Sequence, residues 1–261
     1  MKRVCVRLWA LGLVLLMLPI GAAYGQAGLP KENHYKVYRT NAVPFTRPLI
    51  LADQFGVMNA YSFVLEKFAN PTEKIHNGLI YPMDDPLAHQ TWWRILDAPP
   101  QPARTVIGID QFGYGPVTVG HPRYLLNPAL KNPGPGGGTP PLRNHYLCYE
   151  VIGSLPLYKP VILIDQFGTC DVVVLRSKLF CNPVEKREGA VYYPILDYRA
   201  HLQCYEVQNP QSNFRPVAFL DQFVFQQIET YENDCLCVPA LKEHIVGAKQ
   251  STWGQIKALY R

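Results

Sequence analysis

Four Asp-Gln pairs stand in the chain, Asp53-Gln54, Asp110-Gln111, Asp165-Gln166 and Asp221-Gln222, followed by Phe55, Phe112, Phe167 and Phe223. A carboxylate beside an amide at a strand end offers hard oxygen ligands, the chemistry of calcium binding. Calcium takes about six to eight oxygens, so isolated Asp-Gln pairs supply too few unless all four converge. A structural role needs less. Phe fills a core, Asp and Gln bond backbone groups where the strand turns, and a following glycine takes the unusual dihedral. That role is the expectation, with no metal and no cofactor. Val224 stands where the other copies have glycine, so that glycine is not needed everywhere.

Other chemistry-bearing residues are weighed the same way. His34, His89, His145 and His201 are candidates for a metal cluster or acid–base pair, but each opens its own repeat, so symmetry separates them and strand-edge structural roles are expected. Asp84-Asp85, beside Pro86, reads as a turn and not as a glycosidase dyad, whose acids come from separate positions. No Gly-x-Ser-x-Gly, His-Glu-x-x-His or phosphate loop occurs. Trp92-Trp93 is the better lead. Neighbouring side chains on a strand point to opposite faces, which leaves Trp93 for solvent, a partner or an interface, as a platform for a sugar or protein. Tyr192-Tyr193 poses the same question.

These residues are positioned by an internal repeat. The four aspartates are 57, 55 and 56 residues apart. A proline lies 18 residues after each (Pro71, Pro128, Pro183, Pro239), and a lysine three further on (Lys74, Lys131, Lys186, Lys242). The histidines precede the aspartates by 19 to 21 residues. Copy 3 reads as three strands: His145 to Val151 alternates, Val161 to Ile164 is a buried apolar run, and Asp171 to Leu175 follows. The others repeat this, as in Tyr35 to Tyr38, Leu49 to Leu51 and Ala60 to Leu65 of copy 1, so the fold class is all-β, with three to four strands per copy. One such unit is marginal alone, and the copies must pack together.

Copies 1 and 3 share an extra element carrying Pro82 and Pro194, and Asn132 to Pro141 has linker composition. The copies therefore pair into two homologous sandwich-like or barrel-like β domains, 30–131 and 143–244, joined by a 132–142 linker, with one closed four-copy array as the alternative. Residues 245–261 form a tail in which Ser251 caps a short helix placing Trp253, Ile256 and Leu259 or Tyr260 on one face. Its ending is similar to Trp-Gly-x-Ile-Lys-x-x-Tyr-Arg endings of exported bacterial proteins.

Met1-Lys2-Arg3, the apolar run from Leu8 to Ile20 and Ala23-Tyr24-Gly25 read as a signal peptide, 1–25, with cleavage before Gln26. The expected location is extracellular or periplasmic, with no membrane span in the mature chain. Loss of Lys2, Arg3 and Arg7 takes the net charge from +5 to +2, which gives no electrostatic case for nucleic acid.

Six cysteines remain. Cys148 and Cys181 flank Asp165 at the offsets that Cys204 and Cys237 take around Asp221. In copies 1 and 2 both positions change together, to Val37 and Ala69 and to Trp92 and Leu126. Joint loss predicts the bonds Cys148–Cys181 and Cys204–Cys237. Cys170 and Cys235 are expected to bridge copies 3 and 4. Two free thiols are the first alternative and a zinc site in Asp234-Cys235-Leu236-Cys237 the second.

The patterns His-x-x-Cys-Tyr-x-Val, apolar-Asp-Gln-Phe-Gly and Leu-Phe-Cys-Asn-Pro-Val-x-Lys resemble an uncharacterised domain-of-unknown-function family of secreted or surface-exposed prokaryotic proteins, closely over copies 3 and 4. The resemblance implies export and β architecture and supplies no catalytic residue. The expected function is a secreted, non-enzymatic structural or adhesive surface module whose partner is a cell-surface protein or polysaccharide. A carbohydrate-binding module and an unrecognised hydrolase are the alternatives.

Overall fold

The computed structural model describes residues 31–134, 137–208 and 210–243. The signal segment 1–25 and the helix expected from Ser251 lie outside the described residues. Copy 1 forms β1 (His34–Asp53), β2 (Gly56–His76) and the short β3 (Leu79–Tyr81). Copy 2 forms β4 (His89–Ile95), β5 (Arg104–Asp110) and β6 (Gly113–Lys131). Copy 3 forms β7 (His145–Ile152), β8 (Lys159–Asp165), β9 (Gly168–Glu188) and β10 (Val191–Tyr193). Copy 4 forms β11 (His201–Gln208), β12 (Ser212–Leu220) and β13 (Phe225–Glu243). The described chain is all-β, as the repeat predicts.

The strands join in one closed antiparallel ring, β1-β2-β4-β6-β7-β9-β11-β13 and back to β1. Each copy gives the ring its histidine-bearing strand and its long strand. Each long strand also turns back in a hairpin with the second half of β1, β5, β8 or β12. Each of these hairpin partners pairs, in addition, with the far end of the long strand two copies away. Leu51 meets Lys186, Gly108 meets Lys242, Leu163 meets Lys74, and Phe219 meets Lys131.

Two expectations are corrected by this pairing. The halves 30–131 and 143–244 are not separate in space: β1 pairs with β13, and copies 1 with 3 and 2 with 4 share ladders. The closed four-copy array is the arrangement observed. The 132–142 stretch begins against copy 4, where Asn132 N–H donates to the Ala218 carbonyl at 2.7 Å, and does not join two separate bodies. The long strands also run well past the apolar stretches that mark them, through the landmark prolines. Proline in a paired strand normally removes a ladder hydrogen bond. Here each proline lies two residues past the end of the ladder to the next ring strand, which stops at Ala69, Leu126, Cys181 and Cys237. There the strand changes neighbour, and the missing N–H leaves no gap.

The ring has two faces because a strand sends alternate side chains to opposite sides. One face fills the lumen with a cluster drawn from all four copies, including Val37 and Ala69, Trp92 and Leu126, and the two disulfides. Each of these is a directly opposed cross-strand pair. The other face packs under the hairpins. Both faces of a ring strand are therefore covered, and Trp92 and Trp93 are each 0% exposed. Trp93 is no surface platform: the hairpin layer occupies the side where solvent was expected.

The bonds Cys148–Cys181 and Cys204–Cys237 form, each closing a separation of 33 residues, which contributes about 4 kcal/mol in the chain-entropy model. Cys170 and Cys235 are free and buried. They cannot meet because Cys170 lies in the hairpin layer and Cys235 in the lumen, on opposite sides of the ring wall. Residues 26–261, denatured without reductant, are expected to show two titratable thiols per chain. Finding none would restore the third bridge.

Candidate functional site

The Asp-Gln-Phe corners are where the repeat concentrates its polar chemistry, and three copies meet at each. In copies 1 to 3 the hairpin closes between Asp and Gly, with Gln and Phe at the turn; Gly56 and Gly168 take φ values of 138° and 126°, open to glycine. In copy 4 the hairpin closes one step earlier, Leu220 to Phe225, and Asp221 N–H donates to the Val224 carbonyl at 3.1 Å. The wider loop removes the need for glycine at 224.

The aspartate oxygens have divided roles. Oδ1 accepts the backbone N–H of Phe55, Phe112, Phe167 and Phe223 at 2.7–3.0 Å, closing the turn. Oδ2 accepts from an aromatic side chain two copies away, four residues past that copy's histidine. Tyr149 donates to Asp53 at 2.9 Å, Tyr205 to Asp110 at 2.5 Å, Tyr38 to Asp165 at 2.7 Å and the Trp93 indole to Asp221 at 2.8 Å. The corner phenylalanine packs on the same aromatic, with centroids 5.0–5.2 Å apart. Trp93 is thus a corner residue, which its equivalence to Tyr38, Tyr149 and Tyr205 in the repeat could have revealed.

The previous copy supplies a histidine and a lysine. Gln54 and Gln166 reach His201 and His89 at 3.4 and 3.3 Å, Gln222 bonds His145 at 2.6 Å, and Gln111 bonds His34. The lysine ammonium lies over the corner ring: Lys242 over Phe55, Lys74 over Phe112, Lys131 over Phe167 and Lys186 over Phe223, at 4.1–4.5 Å. Among the described residues no three His, Cys, Asp or Glu come together as metal ligands. Asp85 is a turn residue, accepting from Leu87 N–H and from Arg143.

One corner departs from the pattern. Lys242, Lys131 and Lys186 donate to Asn182, Asn70 and Asn127 at 2.9, 3.5 and 3.1 Å. The matching residue for Lys74 is Val238, and the buried Lys74 ammonium has no hydrogen-bond partner among the described residues. Burial pushes Lys74 down to about 7, although Asp110 pulls it upward. Burial raises Asp110 to about 6, against the pull of Tyr205, the turn N–H groups and Lys74.

Polar groups stand at both ends of the lumen. Glu32 accepts the hydroxyls of Tyr35 and Tyr146, both at 2.7 Å. At the opposite mouth a cleft of about 680 Å³ is lined by charges matched in pairs. Arg94 meets Glu66 at 2.7 Å, Arg123 meets Glu150 at 2.6 Å and Arg176 meets Glu206 at 2.7 Å. Below them Asp234 takes Arg39, Lys67 and Lys178 at 3.0, 2.7 and 2.8 Å. Despite burial, Lys67 and Lys178 hold its carboxyl below the usual carboxylate range. Each carboxylate here faces a cation, an arrangement suited to cohesion.

Two outcomes are expected. Lys242→Met removes the donor to Asn182 and should destabilise the fold by about 2 kcal/mol more than Lys74→Met, whose amine has no acceptor to lose; denaturant melts of the two variants check this. The second concerns pH. Burial lowers His34 and His89 to about 3 and takes His145 well down, each with a neighbouring lysine adding to the effect. These imidazoles are neutral in the fold, whereas the unfolded chain binds their protons below about pH 6.5, so stability falls as pH drops from about 6.5 toward about 3. His76, also lowered by burial, adds to this, while Asp53 and Asp110, both raised by burial, oppose it, two carboxylates against four imidazoles. The melting temperature should fall by at least about 5 °C between pH 7 and pH 5; a flat profile would mean that these histidines are not held neutral.

A family described as a repeat of unknown function, DUF7450, matches residues 89–239, from the landmark histidine of copy 2 to the landmark proline of copy 4. No curated protein and no solved structure matches the chain. The match covers more than half of the sequence and follows the repeat boundaries read from it, and the chain belongs to the DUF7450 repeat family of unknown function.

Proposed function

We propose that this chain is an exported, non-enzymatic β-repeat protein that serves as a structural or adhesive module at a prokaryotic cell surface, in the extracellular or periplasmic space. The observation that carries this reading is the corner geometry: the repeat's Asp, Gln, His and most of its Lys side chains are engaged with one another across copies. A hydrolase would need a nucleophile or an acid–base pair set in a cleft, and the carboxylates lining the charged mouth are paired with arginines.

Export is supported by the basic and apolar residues before Gln26 and by two buried disulfides, which persist in oxidising compartments. Adhesion is supported by the extra hairpins of copies 1 and 3, which expose Leu79 and Ile80 and, at the matching place, Val191 and Tyr192. Two like apolar edges suit a surface protein or polysaccharide partner. A sugar platform at Trp92 and Trp93 is withdrawn, since both are buried.

Expression of the full chain in a bacterium, with fractionation and N-terminal sequencing, tests this reading. The expected product lies outside the cytoplasm, begins at Gln26 and carries both disulfides. Full-length chain retained in the cytoplasm with reduced cysteines would overturn it.

A further inference from the structure

The hairpins contain a position pair at which copy 2 differs from the other three. Two residues before the corner aspartate and five after it, the cross-strand partners are Leu51 and Met58 in copy 1, Leu163 and Cys170 in copy 3, and Phe219 and Gln226 in copy 4. The Leu–Met and Leu–Cys pairs and Phe219 are buried between hairpin and ring. In copy 2 the partners are Gly108 and Gly115. Neither residue carries a side chain, and a cleft of about 510 Å³ opens beside the pair, within the roughly 300–1,000 Å³ of small-molecule sites. A β-carbon on Gly108 would meet Gln203 Oε1 at 2.9 Å, whereas one on Gly115 would meet nothing within 4 Å. The empty room is on the Gly115 side.

The lining decides what fits. Among the described residues no charged side chain lines the cleft. Phe112, Leu155 and Leu157 give it apolar walls, and Gln203, Ser177 and Ser154 give it a polar side. Gln203 Nε2 donates to Ser177 Oγ at 3.2 Å, and Ser177 N–H donates to Ser154 Oγ at 3.0 Å. Gln203 Oε1 accepts no hydrogen bond among the described residues. A charged ligand would lose its hydration with no counter-charge to meet it. A wholly apolar ligand would cover Gln203 Oε1 and the Ser177 hydroxyl without satisfying them. A pyranose avoids both penalties, with a C–H face for the walls and hydroxyls for the amide and serines.

We propose that the copy 2 cleft is a binding site for a neutral saccharide unit, held between Phe112 and Leu155 on its apolar side and Gln203 and Ser177 on its polar side. This gives the adhesive reading a ligand class, rests on that reading only for its biological purpose, and stands independently of export.

Isothermal titration of purified residues 26–261 with cellobiose, maltose, lactose and chitobiose, and with indole as an apolar probe, tests the site. At least one disaccharide is expected to bind. Gly115→Leu, which fills the cleft, should weaken that binding at least tenfold while leaving the melting temperature unchanged or raised, and Gln203→Ala should weaken it at least tenfold from the polar side. If Gly115→Leu fails to fold, Gln203→Ala carries the test. Silence from all four disaccharides, undiminished binding in the variants, or binding of indole alone would each overturn the proposal. Export measured by fractionation is unaffected by any of these outcomes.

Discussion

A buried aspartate whose partners come from other copies is the constraint on which the rest of this protein depends. A carboxylate taken out of water needs hydrogen bonds and compensating charge, or the fold loses stability. At each corner the turn itself provides the phenylalanine N–H, and a copy two places away provides a tyrosine hydroxyl or the Trp93 indole. The preceding copy adds histidine and lysine. No copy satisfies its own corner, and no adjacent pair satisfies all the corners within it. A half-molecule of two copies would leave carboxylates without their aromatic donors, which is why the ring closes with four.

Ring closure explains a second feature, the unequal treatment of copies in the lumen. The opposed positions that hold disulfides in copies 3 and 4 hold Trp92 with Leu126 and Val37 with Ala69 in copies 2 and 1. All four pairs converge on one shared space, so their volumes are coupled. A large indole in copy 2 is accommodated beside an alanine in copy 1 and compact disulfides elsewhere. Close packing has to be met by the cluster as a whole.

Departures from the repeat are informative because the other copies show what the position ordinarily does. Val238 in place of asparagine leaves Lys74 without an acceptor among the described residues. Gly108 and Gly115 in place of Leu–Met, Leu–Cys and Phe–Gln pairs leave a cleft with one open acceptor. Both departures concern copy 2, at its corner and its hairpin. That concentration sets copy 2 apart from the other three.

Legible along the chain were the repeat, the β class and both disulfides, and the aspartate closes its turn as expected, whereas the glutamines, expected on turn backbone, reach histidines of the preceding copy. The legible features depend on local turn chemistry and on residue types that change together, and both are visible along one dimension. Three findings needed the folded chain: the two halves are one ring, Trp93 is a corner donor inside the wall, and Cys170 and Cys235 lie on opposite sides of it. One cause underlies all three. Alternation along a strand says that neighbours face opposite ways, but not what lies on each side. In a ring covered by its own hairpins both sides are protein, and which copy covers which is set by pairings between strands far apart in the chain.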